Sequence, residues 1–393
     1  MGDSCKLNGR IGFRGYTEKD IVTKEIGGVL TFSPTNIVDN KLTMECKNTY
    51  ITREKYDESP EIKIFNGDIL FVKTGSTLGK SALVTGLKED ASINPQIVVM
   101  RVEKDKETFM SNVLITDGIK KQVTAVKIGG AVPTMTETEL KNIKYYEPVE
   151  KEEQKRIGQY FEHLDHLITL HQRKCDETKQ LKKFMLQKMF PKNGEKNPEI
   201  RFEGFTDDWE QRKVSDLLQE RNEQAPRSEE YPLMAFIADQ GVAPKGERYD
   251  RSALVNDENG KKYKRTEYGD FIYSSNNLET GSIGLNKYGN ASISPVYSIF
   301  KRTSNVDLDF LGRRFLRKDF INEMVKWRQG VVYGQWKIHE SDFLKINVVV
   351  PSIEEQKRIG HCFEKLDYLI TLHQRKCEKL KELKKYMLQN MFV

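Results

Sequence analysis

Residues 152–190 read EEQKRIGQYFEHLDHLITLHQRKCDETKQLKKFMLQKMF, and residues 354–392 read EEQKRIGHCFEKLDYLITLHQRKCEKLKELKKYMLQNMF. At an offset of 202 positions, 29 of these 39 residues are identical, so the chain contains an internal duplication. Solenoid repeats recur every ~20–50 residues, whereas this period is far longer. Each repeat is therefore large enough to include a globular segment of its own.

Both copies are predicted to be long helices, because they lack Pro, lack Gly after one early position, and are rich in Leu, Lys, Glu and Gln. Apolar residues recur at steps of three and four, which is the narrow stripe of a coiled coil. A lone helix with such a stripe needs a partner, so we expect the copies to pack together as an antiparallel coiled coil. The predicted seam comprises Ile157, Phe161, Leu164, Ile168 and Cys175, with Ile359, Phe363, Leu366, Ile370 and Cys377 in the second copy.

The segments outside the helices are predicted to be β-rich globules. Short runs such as ILFV at 69–72 and FIYS at 271–274 are separated by Gly, Asn and Ser. The two globules share faint similarities, such as Gly-Asp before each of these runs. The fold class is therefore α+β, with two mixed globules separated by two long helices. The predicted limits are 1–150 and 192–350 for the globules, and 151–191 and 351–393 for the helices.

Composition excludes several classes of protein. The 393 residues include no apolar run of membrane-spanning length, and the start, MGDSCKLNGR, has no apolar signal core. The five cysteines form no C-x-x-C pair, so we expect no structural metal site. The net charge of +6 permits a nucleic-acid partner without establishing one. A cytoplasmic protein is expected.

The stretch KTGSTLGKSAL at 73–83 resembles a phosphate-binding loop that is one residue too short. The second globule offers ETGSIGL at 279–285, where the Thr-Gly-Ser of 74–76 returns at 280–282 without the following Lys and Ser. A phosphate loop must also open a helix, and the residues after Gly79 are too few and too β-branched. Both stretches are therefore predicted to be tips of β-hairpins, aligned on their Thr-Gly-Ser triplets, and no bound cofactor is expected.

Lysine, hydroxyl and amide side chains at such tips suit contacts with DNA phosphates and base edges. Gly, Asn and Ser are also common in turns for purely structural reasons. The candidate DNA contacts are Lys73, Thr74, Ser76, Thr77 and Lys80 at the first tip, Ser275, Asn276, Asn277 and Lys287 around the second, and Arg10, Arg14, Lys245, Arg248, Tyr333, Gln335 and Lys337 in other loops.

Four features together resemble the specificity subunit of bacterial type I restriction–modification enzymes. They are the duplicated helix, its lead-in PSIEEQKRIG at 351–360, the Gly-Asp strands with glycine-rich hairpins, and IRFEGFTDDWEQRKVSDL at 200–217. The resemblance implies two target recognition domains that each read part of a split double-stranded DNA site, with the helices fixing the gap. The first globule differs because it lacks a counterpart of the opening strand at 209–214.

The same resemblance implies that the chain is not itself an enzyme and binds no membrane. Two methyltransferase subunits would dock on the helices and use S-adenosylmethionine. Two restriction and translocase subunits would use ATP and Mg²⁺. An autonomous DNA methyltransferase is the less favoured alternative, because Asn94-Pro95 and Asn197-Pro198 lack the second proline and the aromatic residue of a base-holding motif. A coiled-coil adaptor with protein-binding globules is the other alternative, which would not explain polar hairpins at matching places.

Overall fold

The computed structural model describes residues 1–9, 16–126, 132–192, 194–238, 240–244, 261–331 and 335–392. The chain divides into two compact units. The first comprises Met1–Arg173 with Gln374–Val393, and the second comprises Lys174–His373. Each unit thus combines one globule with a part of each long helix. Within the described ranges, no helix is both long and apolar enough to cross a membrane.

The first globule holds ten described strands and four short helices, and the first long helix follows it. The strands are β1 (Cys5–Asn8), β2 (Ile21–Val22), β3 (Val29–Phe32), β4 (Ile37–Val38), β5 (Lys41–Leu42), β6 (Thr49–Ile51), β7 (Ile69–Val72), β8 (Ser81–Leu83), β9 (Ala91–Ile93) and β10 (Ile97–Val102). The helices are α1 (Arg53–Asp57), α2 (Glu107–Val113), α3 (Asp117–Val126), α4 (Glu137–Asn142) and the long α5 (Lys151–Lys188).

The second globule repeats this plan, with additional strand pairs. Its described strands are β11 (Glu210–Lys213), β12 (Leu218–Glu220), β13 (Gln224–Ala225), β14 (Ala235–Ile237), β15 (Gly241–Ala243), β16 (Tyr263–Thr266), β17 (Phe271–Tyr273), β18 (Ile283–Leu285), β19 (Ala291–Ile293), β20 (Ser298–Arg302), β21 (Gln329–Val331), β22 (Gln335–Lys337) and β23 (Asn347–Val350). Its helices are α6 (Leu308–Phe315), α7 (Lys318–Val325), α8 (Glu340–Phe343) and the long α9 (Ile353–Asn390).

Both globules are built on the same antiparallel four-stranded sheet. The strand order is β1-β10-β7-β8 in the first unit and β12-β20-β17-β18 in the second. A second sheet accompanies each, with order β2-β6-β3-β9 and β13-β16-β19, respectively. The faint sequence similarity between the globules therefore reflects a shared framework.

The strand at 69–72 shows why this sheet forms. Its residues are β-branched, aromatic or aliphatic, and successive side chains of a strand point to opposite faces. Ile69 and Phe71 pack with helices α2 and α3, whereas Leu70 and Val72 pack against the second sheet. Burial on both faces explains why the run is continuously apolar.

The two long helices are antiparallel, as predicted. In the second unit, Cys175 Sγ lies 3.9 Å from the carbonyl oxygen of Ile370, and Lys182 Nζ lies 2.5 Å from Asp367 Oδ1. Residue numbers rise along one helix while they fall along the other, which is the antiparallel sense.

The first unit repeats these contacts with the two copies exchanged. Cys377 Sγ lies 4.0 Å from the carbonyl oxygen of Ile168, and Lys384 Nζ lies 2.7 Å from Asp165 Oδ2. Lys182 and Lys384 are thus engaged in equivalent interhelical ion pairs.

The beginning of each apolar stripe lies in the core of its own globule. Ile157, Phe161 and Leu164 are buried in the first unit, where the Phe161 ring centroid is 5.7 Å from that of Phe392, two residues beyond α9. In the second unit the equivalent buried residues are Ile359, Phe363 and Leu366, and Phe363 lies 6.1 Å from Phe190. Cys175 and Cys377 are buried as well, whereas Ile168 and Ile370 are half-buried.

Glycines early in both helices permit this close packing. A Cβ atom on Gly158 would lie 2.8 Å from the backbone nitrogen of Phe109 and 2.3 Å from Thr108 Oγ1. On Gly360 it would lie 2.4 Å from Asp307 Oδ1. Real Cβ contacts essentially never fall below 3.0 Å, so the start of the preceding globular helix, α2 or α6, can approach only because these residues are glycine.

The segment at 200–217 is attached to the start of α9. Arg201 donates two hydrogen bonds of 2.8 Å to the carboxylate of buried Glu355, and Trp209 packs against Phe190 and Phe310. The lead-in has the sequence of a capping box, and the Glu355 N–H does donate to Ser352 Oγ at 3.3 Å. The Glu355 side chain, however, binds Arg201, because a buried carboxylate needs a charged partner.

The opening strand of the second globule, β11, pairs with β23. The next residue, Val214, donates its backbone N–H to the Ile346 carbonyl at 2.9 Å. In the first globule the amino group of Met1 donates to the Ile143 carbonyl at 2.8 Å. Met1 therefore occupies the place of Val214.

Candidate nucleic-acid interface

The first hairpin tip, residues 73–80, links β7 to β8. Leu78 is buried and anchors the tip, whereas Ser76 and Lys80 are exposed. Thr74 and Thr77 are half-buried. Lys73 is 21% exposed, and its Nζ lies 4.0 Å from Glu137. Ser76 and Lys80 are thus the predicted contacts that this tip presents most openly.

The turn at this tip has the geometry of a hairpin. Gly75 has φ of 106° and Gly79 has φ of 92°, a region that favours glycine. The residues that follow form strand β8, and no helix begins there. Without a helix N-terminus behind the glycines, the stretch is not a phosphate loop, as the sequence indicated.

A second segment is bound to this tip through its backbone. The Gly75 N–H donates to the Pro133 carbonyl, and the Met135 N–H donates to the Lys73 carbonyl, both at 2.8 Å. The side chain of Val132, just before this bridge, is 60% exposed. The first unit therefore presents the tip and residues 132–134 as one surface.

The second hairpin tip, residues 275–282, is fastened to strand β22 by side chains. The backbone N–H of Ile338 donates to Ser275 Oγ at 2.9 Å, and the backbone N–H of Trp336 donates to Asn276 Oδ1 at 2.6 Å. Ser275 is buried, whereas Asn276 and Asn277 are exposed. Ser275 and the Asn276 oxygen thus position a neighbouring strand, and the Asn276 amide nitrogen and Asn277 face solvent.

Strand β22 brings further predicted residues to this tip. Gln335 and Lys337 are exposed on either side of Trp336, which is itself 50% exposed. Sequence reasoning selected the two polar residues and missed the tryptophan. The available signal was a large aromatic residue in the polar stretch GQWK, outside any apolar run.

The charge of Lys337 is partly balanced by Glu340, 3.7 Å away. Burial raises the pKa of Glu340, but hydrogen bonds from its own backbone and Ser298 Oγ, and the charges of Lys337 and Lys264, together hold that pKa below its usual value. Burial lowers the pKa of Lys264, whose Nζ donates to the Tyr297 carbonyl at 2.9 Å. An ionised carboxylate therefore supports the base of strand β22.

The alignment of the two tips on their Thr-Gly-Ser triplets is wrong. Ile69 pairs with Leu83 in the first hairpin, and Phe271 pairs with Leu285 in the second. In this register Gly79 of the first hairpin is equivalent to Gly281 of the second. The two Thr-Gly-Ser triplets therefore lie at different ends of equally long loops. Strand pairing and the positive φ at the last loop glycine fix the register, and the local likeness is coincidental.

Lys287 does not lie with the other candidates. It follows β18, whose pairing with β17 places residue 287 at the end of the hairpin away from the tip. Its Nζ lies 3.4 Å from Asp309 on α6. The structure therefore assembles the tip and β22 into one surface and leaves Lys287 outside it.

Five candidates lie outside the described residues: Arg10, Arg14, Lys245, Arg248 and Tyr333. In the part of the chain that the structure does describe, no group of three or more His, Cys, Asp or Glu side chains could hold a metal ion. The chemistry that the described surfaces offer is hydrogen bonding, positive charge and one apolar side chain in each unit.

Comparison with known proteins gives one family. The model of the type I restriction modification DNA specificity domain matches residues 18–180 and again 206–382. The putative type I restriction enzyme MjaX specificity subunit of Methanocaldococcus jannaschii is 24% identical over 96% of this chain and 88% of its own length. The crystal structure of the type-I restriction-modification system S subunit from M. genitalium has a TM-score of 0.58 at 13% identity, covering 100% of this chain and 94% of that one. This last likeness supports the fold.

Proposed function

The chain belongs to the family of type I restriction modification DNA specificity proteins, and from that premise we propose that each of its two units reads one half of a bipartite DNA target. Recognition of a DNA target is the function of this family. The observation that carries the bipartite proposal is the repetition of one sheet and one hairpin with different side chains at the two tips.

The tips differ in the chemistry with which they would address DNA. The first presents Ser76 and Lys80, a hydroxyl and an ammonium group. The second presents Asn277, Gln335 and the amide nitrogen of Asn276, whose oxygen is engaged by strand β22. Asn and Gln can bond both N6 and N7 of adenine in the major groove, whereas Lys favours guanine or phosphate. Two unlike halves of a target follow from these two sets.

The long helices would set the gap between the half-sites and bind the methyltransferase subunits. Outside the packed stripe, each helix exposes an apolar pair one turn apart. The pair is Leu181 and Phe184 in the second unit, and Leu383 and Tyr386 in the first. Because the pairs occupy equivalent positions, they suit two copies of the same partner.

Catalysis would reside in partner subunits. Two methyltransferase subunits would bind S-adenosylmethionine, and two restriction and translocase subunits would bind ATP and Mg²⁺. The specificity chain would supply DNA recognition and geometry, and the complex would act on DNA in the cytoplasm.

The test uses the complex of this chain with its methyltransferase subunit. Replacing Lys73, Ser76 and Lys80 together by Ala should impair discrimination between duplexes that differ in the first half-site and leave discrimination at the other half-site unchanged. The matched variant, with Asn277, Gln335 and Lys337 replaced by Ala, should affect only the other half. Equal loss of both half-sites in either variant would contradict modular reading.

Salt dependence separates DNA recognition from a protein-binding adaptor. The logarithm of a DNA reader's affinity for its target falls linearly with the logarithm of salt concentration, with a slope close to the number of phosphates contacted. A coiled-coil adaptor would show no such slope with duplex DNA. A flat response of the intact complex would favour the adaptor.

A further inference from the structure

Trp336 is placed unlike the other two tryptophans. Trp209 is buried in the aromatic cluster of the second unit, and Trp327 is half-buried against the same core. Trp336 has half of its surface in solvent, on strand β22 beside the hairpin tip. Single exposed apolar side chains are common on protein surfaces, so the backbone anchoring and the neighbours of Trp336, and not its exposure alone, indicate a partner.

The backbone of Trp336 is held in place although its ring is exposed. Its N–H donates to Asn276 Oδ1 at 2.6 Å, and two residues later the Ile338 N–H donates to Ser275 Oγ at 2.9 Å. Ile338 is buried and anchors the strand in the core. The ring is therefore carried by a fastened strand and is pre-positioned for a partner.

The neighbours of Trp336 indicate what kind of partner covers it. Gln335, Lys337, Asn276 and Asn277 surround it in sequence and space, and all are exposed and polar. A protein interface of useful affinity has a contiguous apolar centre. Among the side chains that the structure describes here, one aromatic ring lies with amide and ammonium groups. This combination suits a nucleic acid, whose bases offer flat apolar faces, thymine methyl groups and polar edges.

The first unit offers an independent parallel. There the Met135 N–H is bonded to the hairpin, as the Ile338 N–H is in the second unit. Three residues before Met135, Val132 is 60% exposed. Each unit thus places one exposed apolar side chain within three residues of this anchor, and the two differ greatly in size.

We propose that Trp336 packs its indole ring against a base of the half-site read by the second unit. This inference rests on the proposed function, and it adds an apolar specificity-determining residue to the polar contacts. The contact is either with a thymine methyl group or with the face of a partly unstacked base, and these two forms are separable by experiment.

The experiment uses the complex with the methyltransferase subunit and the target identified by methylome sequencing. Trp336→Ala should weaken binding to the full target on the order of tenfold to a hundredfold, the range for losing one base–aromatic contact. Trp336→Phe should restore most of the affinity. Tyr288→Ala removes another half-exposed aromatic ring from the same unit, and binding should not change.

A second arm replaces each thymine of the second half-site by uracil. If one replacement weakens binding of the wild-type complex but not of Trp336→Ala, the ring contacts that methyl group. If no replacement matters while Trp336→Ala still binds weakly, the ring stacks on a base. Both outcomes support the proposal.

Two results would overturn it. Trp336→Ala could bind the full target as tightly as wild type, or it could lose the same affinity for a duplex that keeps only the first half-site. Failure of the proposed function looks different, because the wild-type complex itself would then fail to prefer its split target over a scrambled duplex.

Discussion

Replacement of Gly158 by Ala tests the close packing of the long helix against the first globule. The new Cβ would lie 2.8 Å from the backbone nitrogen of Phe109 and 2.3 Å from Thr108 Oγ1. Thr108 can rotate, but the Phe109 nitrogen belongs to helix α2 and cannot move alone. The helix must therefore shift by about 0.6 Å to reach an ordinary contact near 3.4 Å, which moves Phe109 and Met110 in the core.

The expected cost follows from two opposing terms. Overpacking of a well-packed core costs about 1–3 kcal/mol, and a clash with backbone belongs at the upper end. Alanine is favoured over glycine inside a helix by about 1 kcal/mol. The net destabilisation of the first unit is about 2 kcal/mol, which corresponds to a Tm lower by about 4–8 °C for a unit of this size.

Gly118→Ala is the matched control, because Gly118 also lies in a helix of the first unit but has nothing within 4 Å of its Cβ position. We expect this variant to be as stable as wild type or slightly more stable. Thermal unfolding followed by circular dichroism measures both variants. If Gly158→Ala unfolded at or above the wild-type temperature, the argument from close packing would be refuted.

Three further predictions concern the spacer, the ion pairs and the hairpin anchor. Four residues inserted into both long helices at the boundary between the units add about 6 Å, so the recognised gap should grow by about two base pairs in methylome data, with both halves unchanged. The pKa of Asp367 is lowered, because the effect of burial is outweighed by the hydrogen bond from Lys182 and the charges of Arg313 and Lys182. The stability that Asp367 contributes is therefore present above about pH 4 and is lost as the pH falls below that value. A Lys182→Met variant should lose less stability than wild type over the same pH range. Ser275→Ala leaves the buried backbone N–H of Ile338 without its acceptor, which should cost about 1–3 kcal/mol of stability. Calorimetry should show a less stable second unit, and binding assays should show poorer discrimination at its half-site.

Sequence predicted the parts of this fold that depend on local or repeated signals. The duplicated segments predicted both long helices, and the apolar stripe from Ile157 to Cys175 predicted that each helix packs against a partner. The apolar run at 69–72 predicted a central strand. Each of these signals is a periodicity, and periodicity reports which face is buried. It does not report what covers that face. Residues such as Phe161 accordingly lie in a globular core as well as beside the other helix.

The remaining features depend on contacts between residues distant in sequence. Asn276 is tied to the backbone of Trp336, 60 positions away, and Glu355 is tied to Arg201, 154 positions away. No local pattern marks such a pair, so the sequence predicted Asn276 as a candidate DNA contact without indicating that its side-chain oxygen holds strand β22. The predicted alignment of the two hairpins was wrong for the same reason. Pairing along the whole strands fixes their register, and the three identical residues at the tips do not.

The division of the helices between the units has a consequence for synthesis on the ribosome. The second unit is one continuous segment, 174–373, whereas the first needs residues 374–392, which are made after the whole of the second. At about 5–20 residues per second, roughly 10–40 s separate the two parts of the first unit. During that interval the rings of Phe109 and Phe161 lack their neighbour Phe392. The first domain to be made is thus the last to be completed, and a nascent chain arrested before residue 374 should attract chaperones through that uncovered surface.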